Sequence, residues 1–203
     1  MSISAEQLEK FFNQHGRADL AQTANGLYVE AKAIEDSLPT PKIEIPARIR
    51  QETLTRGNKS REKLLAECTT PPYHVSDPAS YIIDQTKRFS GGSTDETLIW
   101  QSGYDLGITQ RAPYNRFLEA GQAKGFNLIE CPGDLSLDLR LFDANQPKYE
   151  WYWLAMNPIL DQDRDLRVLG LGHYDDGLWV DTTWTDPDDL WDPESRIVFS
   201  VSK

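Results

Sequence analysis

Between Ile3 and Leu38 the apolar positions recur at helical spacing, and from Leu135 to the C-terminus they alternate. In the first stretch, Ser4 and Gln7 make a capping box, Ile3 can staple onto Leu8, and Leu8, Phe11 and Phe12 share a face before Gly16. From Leu20 through Ala24, Leu27, Ala31, Ile34 and Leu38 the spacing is by fours and threes, the seam of an antiparallel helix pair that stops at Pro39. The proline-bearing stretch "TPKIEIPARI" predicts an extended linker. Helices are predicted again over Lys59 to Glu67 and, opened by Asp77 and Pro78, through "PASYIIDQTKRF". Ser93 and Glu96 form a further capping box ahead of Leu98, Ile99 and Trp100, predicting one more helix there.

Past residue 126 the period becomes two. In "DLSLDLRLFD", Leu135, Leu137, Leu139 and Leu141 alternate with Ser136, Asp138 and Arg140, the pattern of a half-buried strand. "KYEWYWLAM", "LRVLGLGHY", "LWVDTTW" and "RIVFSVS" supply four more strands, rich in aromatic and β-branched residues. Asp176-Gly177 predicts a hairpin turn, which pairs Tyr174 with Trp179 and Gly172 with Asp181 on one face and puts His173 on the other with Leu171 and Val180. The expected fold is therefore α+β: a helical N-terminal half, residues 1–126, packed on a C-terminal antiparallel sheet of about five strands, residues 127–203.

Charge divides the chain at the same place. Of 32 acidic and 21 basic residues, the last 77 positions hold 16 and 6, so almost all of the net −11 lies there. The densest part is "DDGLWVDTTWTDPDDLWDPES", residues 175–195, with seven aspartates, one glutamate, three tryptophans and no lysine or arginine. The basic extreme is residues 42–63. The two cysteines, Cys68 and Cys131, are too few for a disulfide framework, and no apolar run is long enough to span a membrane. "MSISAEQLEKFF" lacks the basic and apolar regions of a signal peptide, so a cytoplasmic protein is expected.

The stretch "LIWQSGYDLGITQRAPYNRFLEAGQAKGFNLIE", residues 98–130, resembles the winged helix-turn-helix family. That resemblance implies a DNA-binding regulator whose winged-helix-like segment covers residues 98–142. Leu106, Gly107 and Ile108 would form the turn, and Thr109, Gln110, Arg111, Asn115 and Arg116 would face a major groove. Pro113 departs from the pattern, because a recognition helix would already be propagating at that position.

Catalytic chemistry has less to stand on. "DQDRD", Asp161 to Asp165, begins like a calcium loop but has Leu166 and Gly172 where the loop needs glycine and glutamate. A His173–Asp175 dyad, an Asp175–Asp181 pair or a Cys131 nucleophile would each serve a carboxylate- or metal-dependent hydrolase or a thiol enzyme, yet none has diagnostic spacing. No cofactor or metal site is assigned. The favoured expectation is a non-enzymatic binding protein of the inhibitor, immunity or adaptor type, such as a bacterial or phage accessory protein. Its acidic surface, Trp184, Asp186, Asp188, Asp189, Trp191, Asp192 and Glu194, would dock on a basic partner. Both tryptophans are expected to be partly exposed. Part of the aspartate density is turn chemistry, since aspartate at a turn bonds its own backbone.

Overall fold

Nine strands form one curled, half-barrel sheet, and the four helices of the described residues are interleaved with them along the chain. The computed structural model describes residues 50–201, which belong to one compact unit, Ala47–Lys203. The helices expected before Pro39, the linker after it and residues 42–49 of the basic stretch lie outside the described residues.

The strands are β1 (Arg50–Arg56), β2 (Tyr73–Val75), β3 (Thr94–Ser102), β4 (Ala112–Pro113), β5 (Phe126–Asn127), β6 (Trp151–Leu154), β7 (Ile159–Leu160), β8 (Leu166–Tyr174), β9 (Gly177–Trp184), β10 (Leu190–Trp191) and β11 (Arg196–Val201). The helices are α1 (Arg61–Cys68), α2 (Asp77–Gln85), α3 (Tyr114–Ala123) and α4 (Pro132–Phe142). The main sheet runs β1-β3-β11-β6-β8-β9-β2, with β5 beside β11 and β7 beside β8. It is mixed: β11 with β6 and β9 with β2 are parallel, and the remaining pairs are antiparallel. β4 and β10 form a separate ribbon.

The helical-half-on-sheet arrangement is thus corrected: β1 and β3 come from before residue 126, and α4 comes from after it. Two segments exchange character. "DLSLDLRLF" is helix, not strand: Pro132 sits at its first turn, Asp134 complements its N-terminus, and Leu135, Leu137, Leu139, Ser136 and Arg140 are all buried. A helix enclosed on nearly every side carries no amphipathic period, so its leucines alternate without meaning a strand. The segment Thr94–Ser102 is strand, not helix. β3 lies between β1 and β11 and buries Leu98 and Trp100 on one face and Ile99 and Gln101 on the other, while Glu96 pairs with Arg56 instead of capping.

Elsewhere the expected elements form. Ser60 caps α1, Ser76 caps α2 with Asp77 and Pro78 in its first turn, α2 ends at Gln85, and the segments read as strands in "KYEWYWLAM", "LRVLGLGHY", "LWVDTTW" and "RIVFSVS" are β6, β8, β9 and β11. The β8–β9 hairpin turns one residue earlier than predicted, at Asp175-Asp176, with Tyr174 opposite Gly177 and Gly172 opposite Trp179. The partners shift by two residues, so every side chain keeps its predicted face. Gly177 is fixed by what surrounds it: its φ is +144° and an added Cβ would stand 2.8 Å from His74 Cδ2.

Buried charges hold the helices to each other and to the sheet. Arg61 of α1 makes a two-point pair with Asp134 of α4 at 2.9 and 2.8 Å, and also donates to the carbonyls of Ile83, Thr86 and Lys87 at the end of α2. Arg140 donates to Gln146 Oε1 (2.7 Å) and to the carbonyls of Asp143 and Gly172 (3.2 Å for the latter). Asp143 accepts from Arg50 at 2.8 Å and Tyr152 at 2.7 Å. Such pairs give little net stability as a whole, but breaking one from a single side leaves a charge without its partner.

Two carboxylates on α4 should respond oppositely to neutralisation. Burial pushes Asp138 up to about 6, whereas Asp134, despite its burial, is held below the usual range by Arg61 and the Phe89 amide. For Asp138 the folded value lies above the unfolded one. Its favourable contribution is therefore complete below about pH 4 and lost as pH rises through 6. Asp138→Asn should stabilise the fold by about 2 kcal/mol at pH 7, with the gain gone below about pH 4. Asp134→Asn should cost about 3 kcal/mol or more at neutral pH. Urea unfolding across pH checks both.

Candidate partner-binding face

One half of the sheet's second face is covered by α3. Gly121 of α3 is so close to the Phe199 ring that a Cβ there would overlap it, and Phe117 and Tyr114 pack over the same region with Trp191. The other half is floored by aromatic side chains. Across four neighbouring strands the register aligns Trp151, Gly172, Trp179 and His74, and the next row aligns Trp153, Gly170 and Asp181. Directly opposed residues share a face, so these rings lie side by side.

Two glycines make this possible. Gly170 and Gly172 lie mid-strand, where a Cβ would overlap the Trp153 and Trp151 rings respectively. The indoles therefore lie across the backbone of β8 and are only half-buried. The rings continue one another: His74 stacks on Trp179 at 4.6 Å, Tyr174 meets Trp179 edge-on at 6.1 Å, and Trp151 meets Tyr174 at 4.0 Å. Trp151 and Trp153 follow at 6.3 Å, and Trp153 meets Trp191 at 5.9 Å.

At one end of the row an open cleft of about 460 Å³ is lined by Tyr149, Tyr174, Trp179, Asp175, Asp176 and Asp181. Each ring is tied to one carboxylate. Tyr149 donates to Asp175 Oδ1 at 2.7 Å, Trp179 Nε1 to Asp176 Oδ1 at 3.0 Å, and Tyr174 to Asp181 Oδ2 at 3.3 Å. Asp181 Oδ1 also accepts from Ser76 Oγ at 2.7 Å. Hydrogen bonds from Tyr149 and Lys148 hold the Asp175 carboxyl below its ordinary value. Burial, reinforced by the Asp181 charge, pushes the Tyr174 phenol up to about 12.

The acidic segment beyond β9 is only partly this surface. Trp184 is 53% exposed, with Arg167 stacked 4.5 Å above its ring. Trp191 is 8% exposed and anchors the segment in the core, correcting the expectation that both tryptophans are partly exposed. The ribbon explains the difference: Trp191 pairs with Ala112 beside the start of α3, and its indole donates to the Trp184 carbonyl at 3.3 Å. Asp188, Asp189, Asp192 and Glu194 are exposed and Asp186 is half-buried. The turn chemistry is visible in Asp192 Oδ1, which accepts from the Glu194 amide at 3.0 Å.

The helix-turn-helix geometry does not form, because the segment expected to be its first helix is β3. Gln110 and Arg111 precede α3, with Arg111 donating to the Leu190 carbonyl, while Asn115 and Arg116 lie on it and Arg116 pairs with Glu119. The four do not share a helix. His173 and Asp175 find partners elsewhere, His173 at the Gln146 carbonyl (2.6 Å) and Asp175 at Tyr149 and Lys148. Asp161 closes its own turn by accepting from the amides of Asp163 and Asp165, both at 2.9 Å. Burial raises the Cys131 thiol, which disfavours the thiolate. Among the described residues no group of three or more His, Cys, Asp or Glu side chains is placed to hold a metal ion.

No protein-family model, curated protein or solved structure matches the chain.

The two tryptophans of the acidic segment should separate on truncation. Trp191→Ala empties a site lined by Tyr114, Phe117 and Trp153 and should cost about 3–5 kcal/mol. Trp184→Ala, which loses an exposed stacking contact, should cost less than about 1 kcal/mol. Thermal unfolding of the two variants is the check.

Proposed function

We propose that the chain is a non-enzymatic binding protein whose acidic, aromatic face docks on a basic surface of a partner protein. One observation carries this: the open part of the sheet face is floored by aromatic rings, and at its hairpin end each cleft ring is hydrogen-bonded to its own aspartate. Rings so held are already oriented, Trp179 with one face against His74, and so meet a partner at little further entropic cost, the property that makes tryptophan and tyrosine effective interface anchors. The surrounding charge supplies attraction at longer range.

The excess of negative charge fits the same role. No lysine or arginine occurs between Arg167 and Arg196, and the exposed Asp188, Asp189, Asp192 and Glu194 flank β10, whose Trp191 ends the aromatic row. Turn chemistry accounts for part of this density, as at Asp192, but not for the lack of any cation to offset it. A basic partner relieves it, and the relief appears in the rate of encounter. Inhibitor, immunity and adaptor roles all fit this description.

The test uses the partner that co-purifies with the full chain from its native host. Its association rate should fall steeply with added salt. Replacing Asp188, Asp189 and Asp192 together with asparagine should slow association about tenfold at low salt and flatten that dependence. A rate indifferent to both salt and the triple substitution would overturn the proposal.

A further inference from the structure

The geometry points to a more specific role for the cleft: we propose that Tyr149, Tyr174 and Trp179 form a pocket for one arginine side chain of the basic partner. This rests on the docking role of the acidic face and names its anchor. The chain itself shows the chemistry three times. Arg50 stacks 4.2 Å over Trp100 while bonded to Asp143 and Glu52, Arg56 stacks 4.5 Å over Phe89 while bonded to Glu96, and Arg167 stacks 4.5 Å over Trp184 while bonded to Asp161. Each is a guanidinium with a ring under its face and a carboxylate at its edge.

The cleft presents the ring and carboxylate parts of that arrangement. Among the described residues no cation of the chain stacks on Tyr149, Tyr174 or Trp179. Tyr174 and Trp179 stand at 87° to each other, so a planar group lying on one ring presents its edge to the other. The bonds that orient Tyr149 and Trp179 use Oδ1 of Asp175 and Asp176, and neither Oδ2 atom takes part in them. A guanidinium, with five N–H donors in a plane, can stack and reach carboxylates at once. An ammonium, a strongly hydrated point charge with no planar fork, cannot lie flat on a ring while presenting in-plane donors to the carboxylates.

Tyr149 adds an independent observation. It is 65% exposed, and its backbone sits at φ +63°, a left-handed conformation rare for an aromatic residue. Its amide donates to the His173 carbonyl at 2.8 Å, which fixes the strained residue against β8 and sets its ring beside the hairpin turn. Such strain concentrates where a side chain must be presented for binding.

The probe is N-acetyl-arginine methylamide, titrated into the full chain and followed at the tryptophan indole N–H resonances in ¹⁵N–¹H spectra. The Trp179 indole should shift with saturation in the millimolar range. The lysine analogue should bind about threefold more weakly, and the norleucine analogue should leave Trp179 unmoved. Tyr149→Gly, which removes the ring and suits the backbone, and Asp176→Asn should each weaken the arginine probe about threefold without lowering the unfolding temperature. No shift at Trp179, or an equal or stronger response to lysine or norleucine, overturns the arginine pocket. The same two variants separate this proposal from the wider one. If they leave association with the basic partner unchanged while substitution of Asp188, Asp189 and Asp192 slows it, the pocket is wrong and the docking face stands.

Discussion

The described fold depends on the burial of Arg140. Its guanidinium is fully enclosed, and its N–H groups reach the carbonyls of Gly172 and Asp143 and the side chain of Gln146, which itself donates to the Glu150 carbonyl at 2.9 Å. One side chain of α4 thereby ties the backbone of β8 to the connection that leads into β6. The opposite face of those two strands carries Trp151 against Gly172. The floor of the aromatic face is thus held from beneath by a charge, and its strands cannot shift in register without stranding that charge. Asp143 extends the hold to β1 through Arg50 and to the core through Tyr152.

Burial on two sides also explains which elements the sequence conceals. A half-buried strand or a surface helix records its orientation as a period. In β8 and β9 the hairpin signal assigned the faces, which were legible even with the turn misplaced by one residue, because a shift of two in pairing preserves the faces. α4 and the second half of β3 have almost no solvent side. Leu135, Leu137 and Leu139 are all inaccessible in a helix, and Leu98, Ile99 and Trp100 are all buried in a strand, so hydrophobicity carries no phase in either. The Ser93–Glu96 capping box had no means of competing with the pairing of β3 on both edges, which commits Glu96 to Arg56.

The site was legible as chemistry and less so as place. Aspartate and tryptophan density marked residues 175–195, but density does not separate a ring that anchors a ribbon from one that meets solvent. Trp191 and Trp184 differ only in what crosses them. A sharper signal lay in two short patterns: tryptophans two apart at 151 and 153, and glycines two apart at 170 and 172. Paired across strands, they mean rings lying over a backbone with no side chains beneath. Tyr149 escaped notice because its position depends on a left-handed backbone that no period predicts.

The carboxylates of the cleft do two things that oppose each other in the free protein. By accepting from Tyr149, Trp179 and Tyr174 they orient three rings, and this requires them close together at the hairpin tip, with Asp175 and Asp176 adjacent. That closeness makes like charges repel. Lys148, 3.3 Å from Asp175 and exposed, offsets only part of it, since solvent screens such a pair. The arginine proposed for this cleft would remove the repulsion while gaining the rings that the same hydrogen bonds hold in place. In the proposed docking role the excess negative charge and the aromatic surface are one device, in which the charge positions the rings and the rings would give the charge something to hold a partner against.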